Sequence, residues 1–144
     1  VPVALALAQA VEESGWGSSR FARLGNAIFG QYTTLDDHGL IPKQAGDNPD
    51  FKIKAFPDLL TGIRSYMRNL NIHPAYADLR RKRAEIRADG GKPLGRVLAV
   101  TLTGYSERGF DYVKTLHLII DANDLSDLEK KARLAPPSAP APVS

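Results

Sequence analysis

A run near the start of the chain, Leu5-Ala6-Leu7-Ala8-Gln9-Ala10-Val11-Glu12-Glu13-Ser14-Gly15-Trp16-Gly17, limits what the rest can become. Ala and Leu favour helix, Pro2 suits a first helical turn, and Gly15 suits the position just past the last. A helix that is apolar on every side belongs inside a core. This one closes on two adjacent carboxylates, at the end where exposed carbonyls are already partly negative. Burial and that dipole both favour the protonated form of a carboxyl group placed there. A carboxyl that keeps its proton near neutral pH is a candidate general acid. Paired glutamates at a helix end are ordinarily solvated and do no chemistry. Neighbours on a helix diverge by about 100°, so one of the two is expected to be of that kind. Helical phase does not separate them. Counting back three and four residues reaches Ala10 and Gln9 from Glu13, and Gln9 and Ala8 from Glu12.

At 144 residues the chain is long enough for one domain with a substantial core. It has no cysteine, which excludes a disulfide framework and thiolate metal sites. His38, His73 and His117 are scattered without metal-ligand spacing, so neither a metal nor a cofactor is expected. The net charge of +3 implies only mild attraction to anionic surfaces. Much of it comes from Arg80-Arg81-Lys82-Arg83 and from Lys130, Lys131 and Arg133, runs of the kind that usually form solvated faces. Without a concentrated basic face, nucleic acid is not an expected partner. Residues 1 to 11 are too short to span a membrane and lack the charged flank of an intact secretory signal. The chain therefore reads as a piece cut just before its first core helix, with any signal or anchor upstream.

Further along, Ser18 or Ser19 is expected to cap a short helix that turns Phe21 and Leu24 inward and ends at Gly25-Asn26. Between residues 31 and 57, Gly39, Pro42, Gly46 and Pro49 break any helix, and the alternating run Phe51-Lys52-Ile53-Lys54-Ala55-Phe56 suggests a small β-lobe or hairpin. From Asp58, a candidate cap, the helical period returns with Leu59, Leu60, Ile63, Met67 and Leu70 as one stripe and Tyr66 at its edge, slightly weakened by Gly62. Asn71-Ile72-His73-Pro74 breaks it. Pro74 opens the next helix, which Gly90-Gly91 stops, and Pro93 opens another that ends at Gly104. A long last helix from about Asp111 is interrupted near Asn123-Asp124-Leu125. Residues 135–144 hold Pro136, Pro137, Pro140 and Pro142 beside Ala and Ser, which suits a linker or tail rather than a core. The expected domain is residues 1–134, mainly α (α+β), helical with a small β-lobe.

Several of these segments carry a resemblance. Ala8-Gln9-Ala10, Glu13-Ser14-Gly15-Trp16-Gly17, Ser19, Phe21-Ala22 and Asn26 with Phe29-Gly30 resemble the signature of the bacterial glucosaminidase family, glycoside hydrolase family seventy-three, and within it the Bax-like branch. Phe56, Tyr66-Met67, Asn69-Leu70-Asn71, His73, Ala75-Tyr76 and Leu79-Arg80 continue it, as do Tyr105-Ser106-Glu107-Arg108-Gly109 and Tyr112-Val113, so that it covers nearly all of residues 1 to 125. The resemblance implies a lysozyme-like fold, a monomer, a periplasmic, cell-envelope or extracellular setting, and cleavage after N-acetylglucosamine in the glycan strands of peptidoglycan. It implies Glu13 as the catalytic acid and Tyr105 as an active-site tyrosine. Trp16, Asn26, Phe29, Gly30 and Tyr76 are implied as the residues that shape the substrate cleft. Only the tyrosine of the family's Tyr-Ala-Thr-Asp turn is matched at Tyr105.

Glycoside hydrolysis ordinarily uses a second carboxylate. The family places a glutamate in the β-lobe, yet residues 31 to 56 contain none, and Lys52 stands where Bax-like sequences usually carry it. Asp36, Asp37, Asp47 and Asp50 remain, with Asp50 nearest in sequence. An N-acetyl sugar can instead supply its own acetamide oxygen, with Tyr105 orienting it. The competing readings are a silent glycan-binding module of the same fold and a muramidase or lytic transglycosylase.

Overall fold

The computed structural model describes residues 1–33, 39–40 and 52–132, the side chains of 32, 33, 39 and 40 excepted. Asp36, Asp37, Asp47, Asp50, His38 and the tail at 135–144 lie outside the described residues. The domain is mainly helical with a small sheet, as the sequence implies. Helix α1 spans Val3–Ser14 and α2 spans Arg20–Gly25. Strands β1 (Tyr32–Thr33), β2 (Gly39–Leu40) and β3 (Lys52–Lys54) follow. Then come α3 (Leu59–Ile72), a 3-10 turn at Pro74–Tyr76, α4 (Ala77–Ala88), α5 (Gly95–Leu98), a second 3-10 turn at Ala99–Thr101, α6 (Phe110–Ala122) and α7 (Leu125–Lys131). β3 lies between β1 and β2, antiparallel to both. The alternation read around Ile53 holds: Ile53 is buried between the less buried Lys52 and Lys54.

Helix α1 is the hub and packs against α5, α6 and α7. Ala4, Leu5 and Ala8 are fully buried among Leu70, Leu79, Leu98, Leu102, Leu116 and Ile120. Small alanines let neighbouring backbones come close. A Cβ added at Gly95 would lie 2.5 Å from the Leu5 backbone nitrogen, so only glycine fits where α5 crosses α1. Expected punctuation is found at Gly15, whose N–H bonds to Val11 O, at the caps Ser19 and Asp58, and at Gly90-Gly91.

The structure corrects several details of the sequence reading. Helix α1 is not buried all round, since Leu7 is exposed. Leu24 points outward rather than inward and is 70% exposed. In α3 the buried stripe is Gly62, Tyr66 and Leu70, while Leu59, Leu60 and Met67 face out. The shift has a polar cause, because Tyr66 is drawn into the core by a hydrogen bond from its hydroxyl to Gln9 Oε1 at 2.6 Å. Gly62 is a contact point rather than a weakness, because a Cβ there would come within 2.8 Å of the Asn26 carbonyl. The basic run of α4 is partly structural: Arg80 donates to the carbonyls of Leu70 and His73, and Arg83 donates to Asn71 Oδ1.

Candidate active site

The two glutamates that sequence phase leaves unresolved are separated by their neighbours. Glu12 Oε1 is 2.5 Å from Arg108 Nη1, and the same guanidinium donates to Thr115 Oγ1 of α6 at 2.7 Å. That exposed ion pair neutralises Glu12 on the outside of the α1–α6 contact. Glu13, next to the last residue of α1, opens instead onto a groove of about 770 Å³. Phe29, Gly30 and Gln31 border the groove after α2, and Lys54 of β3 and Ser65, Arg68, Asn69 and Ile72 of α3 form another wall. Tyr76 and the turn from Tyr105 to Arg108 complete it.

Burial is the main force on Glu13 and pushes its carboxyl pKa upward, and the nearby charge of Glu12 adds to it. The neighbouring Tyr112 hydroxyl and Arg108 pull the other way without reversing the direction. A half-buried carboxyl with a raised pKa beside a groove is equipped to donate a proton. Gly30 makes room for it. Its backbone is left-handed at φ 63°, and a Cβ there would lie 2.8 Å from Glu13 Oε2.

Behind the carboxyl stands a tyrosine cluster. Gln9, fully buried one helical turn before Glu13, donates from Nε2 to the Tyr112 hydroxyl at 3.0 Å and accepts from the Tyr66 hydroxyl. Tyr105 stacks on Tyr112 with ring centres 5.6 Å apart, and its hydroxyl donates to the Phe29 carbonyl at 3.1 Å. In this arrangement its proton is committed to the backbone, while its oxygen can still accept. Phe29 stacks on Tyr66 at 3.7 Å, and Tyr76 leans against Tyr105 at 5.7 Å.

The sequence candidates thus divide. Glu13, Phe29, Gly30, Tyr76 and Tyr105 meet at the groove. Asn26 sits behind it, tying the end of α2 to the segment after β3 through an Nδ2 bond to the Phe56 carbonyl at 3.0 Å. Trp16 is 68% exposed in a left-handed conformation and is not part of the groove lining. Asp50 lies outside the described residues, and among those described the other carboxylate on the groove is the exposed Glu107. No cluster of three or more metal-ligating side chains converges among the described residues. Sequence reasoning assigned no site role to Gln9, Tyr66, Tyr112, Asn69 or Arg108. For Gln9 a signal existed: it is the lone amide in an Ala/Leu run, four residues before Glu13.

A family model described as Glucosaminidase (mannosyl-glycoprotein endo-beta-N-acetylglucosaminidase) matches residues 1–125. Over 126 residues the chain is 30% identical to Protein bax of Escherichia coli (strain K12), with 85% of this chain and 43% of that protein covered. The match therefore spans less than half the length of that relative. No solved structure matches. Among the described residues no helix is long and apolar enough to cross a membrane.

Proposed function

Because the chain belongs to the glucosaminidase family, we propose that it hydrolyses the β-1,4 bond following N-acetylglucosamine in peptidoglycan, with Glu13 as the general acid. The observation that carries this reading is the setting of Glu13: a carboxyl at the end of a core helix, its pKa raised by burial, on the wall of a groove. Glu13 hands its proton to the glycosidic oxygen as the C1–O bond breaks, and positive charge develops on the ring. Either a water bonds to C1 directly, or the sugar's own acetamide oxygen bonds to C1 first and a water then displaces it, breaking that bond and restoring the acetamide. Regeneration returns a proton from water to Glu13. Tyr105 presents a lone pair toward the reacting sugar, and Tyr76 and Phe29 supply apolar surface for it. The second carboxylate of a two-carboxylate route would be Asp50, and acetamide participation removes the need for one. Such a substrate places the protein in the periplasm or at the cell envelope.

A reducing-end assay on purified sacculi tests the reading. Glu13→Gln is expected to lower turnover by about 10²–10⁴-fold, the usual contribution of a general acid. Equal activity in both proteins would remove Glu13 from the chemistry. Mass spectrometry of the released fragments distinguishes a new N-acetylglucosamine end from the muramic-acid end that a muramidase or lytic transglycosylase would leave. A second reading, glycan binding without cleavage, draws on the cations Lys54 and Arg68 on the wall formed by β3 and α3. Robust turnover excludes it.

A further inference from the structure

Ser65, Arg68, Asn69 and Ile72 are spaced i, i+3, i+4 and i+7 along α3, which puts them on one face of the helix, and all four line the groove. The core-facing stripe of the same helix is a different one, through Gly62, Tyr66 and Leu70. Lys54 joins the groove face from β3. Its N–H donates to the Gln31 carbonyl at 2.7 Å, which brings these two groove residues together. Charge on this wall is uncompensated. Glu12 takes the Arg108 guanidinium, whereas neither Lys54 nor Arg68 has an ion pair among the described residues. Lys54 Nζ rests over the Phe56 ring at 5.4 Å, a contact that steadies the side chain and leaves its charge in place. Beside it, the side-chain oxygen of Gln31 is buried without a hydrogen-bond partner. Folded chains rarely leave such an atom unpaired, and a turn about the soft terminal torsion of the amide offers it to the groove.

Two cations without counter-charge and an unmet acceptor suit a ligand that carries both negative charge and N–H groups. A plain N-acetylglucosamine chain has acetamide N–H groups and no charge. The peptide stems borne by the muramic acid of peptidoglycan have free carboxylates and a run of amide N–H groups. We propose that Lys54 and Arg68 form a subsite for the peptide stem, binding its carboxylates while the sugar chain lies against Glu13 and Tyr76. For the identity of the strand this rests on the function proposed above, but the subsite does not depend on cleavage. At about 770 Å³ the groove stands toward the upper end of the range for ligand pockets, about 300–1,000 Å³, which leaves room for a branch beside the sugar. The subsite makes the protein prefer stem-bearing strands to stripped ones. Muramic acid is a second source of the same chemistry, because removal of the stem bares its lactyl carboxylate, and the test separates the two.

Binding is measured by NMR titration of the Glu13→Gln protein, in which turnover of the probes is suppressed. The probes are a disaccharide of N-acetylglucosamine and N-acetylmuramic acid carrying a tetrapeptide, the same disaccharide with its stem removed, and a neutral tetrasaccharide of N-acetylglucosamine. The stem-bearing probe is expected to bind about threefold to tenfold more tightly than the stripped disaccharide, an advantage that shrinks as salt is raised. Lys54→Gln combined with Arg68→Gln should abolish that advantage and leave the neutral tetrasaccharide unaffected. Arg64→Gln is the control, since it takes the same charge from an exposed position of α3 that does not line the groove, and it should keep the advantage. Equal binding of the stem-bearing and stripped disaccharides overturns the proposal; if the neutral probe is then the weakest, the cations serve the lactyl carboxylate instead. A loss with Arg64→Gln as large as that of the paired change also overturns it, by making the effect one of overall charge. Should the paired variant fail to fold, each single substitution is expected to remove part of the advantage. If binding behaves as expected while wild-type protein leaves sacculi intact, the glucosaminidase reading fails and the subsite stands. Cleavage without stem selectivity has the opposite meaning.

Discussion

Replacing Gly30 by alanine separates the cost of a backbone conformation from the cost of moving the acid. At φ 63° an alanine pays the left-handed penalty, about 1–2 kcal/mol relative to glycine. For a domain of this size that corresponds to a fall in Tm of about 4–7 °C. The new methyl would also sit 2.8 Å from Glu13 Oε2, where ordinary contact begins at 3.4 Å, so the carboxyl must retreat by roughly 0.6 Å. A flexible side-chain end can make that move at little cost to the fold. Catalysis is less forgiving, since a displacement of about 1 Å can cost on the order of 10² in rate. Gly30→Ala is therefore expected to lower kcat on sacculi by about tenfold to a hundredfold on top of its modest loss of Tm. Gly90→Ala is the control, because Gly90 is left-handed at φ 74° with nothing within 4 Å of the added carbon. It should lose similar stability and keep full turnover. If thermal denaturation and the reducing-end assay show the two variants equally stable and equally active, then Glu13 is not held against Gly30, or its position does not matter.

Two more outcomes follow from the packing and the charges. Because burial raises the folded pKa of Glu13 above its unfolded value near 4.3, the native state holds the extra proton in the interval between them, and wild-type stability falls as pH rises through it. Glu13→Gln, which cannot ionise, should show a Tm advantage that is absent below the unfolded value, grows through that interval and then levels off; a pH-independent difference would contradict the burial argument. Gly95→Ala meets backbone at 2.5 Å rather than a movable side-chain end, so its urea midpoint should report a loss of about 3 kcal/mol or more, clearly larger than that of Gly30→Ala.

Much of the helical frame was legible because its boundaries are set locally. Gly15, Ser19, Asp58, Gly90-Gly91 and Asn123-Asp124 act on residues three or four positions away, and a sequence displays such spacings directly. What it does not display is the partner that arrives from far along the chain. Glu12 and Glu13 look alike until Arg108, 96 positions later, claims the first of them. The inward face of α3 was misread for the same reason: hydrophobicity favoured Leu59, Leu60 and Met67, but Gln9, 57 positions away, offered Tyr66 a buried acceptor. Leu24 shows the reverse case, an apolar side chain in a helix of six residues that stays mostly exposed. Glu13, the proposed acid, is marked by its neighbours in sequence, while the phenols near it come from α3, α6 and the turns beside them.

Helix α1, anchored in the core by Ala4, Leu5 and Ala8, holds Glu13 near its end, whereas Lys54, Ser65 and Arg68 line the groove from β3 and α3. The proposed proton donor and the opposing bank thus belong to separate parts of the architecture. Descendants of this chain could exchange residues along that bank, and so drift toward differently decorated sugars, without disturbing the donor. A lineage that altered α1 would forfeit its shape and its chemistry in the same step.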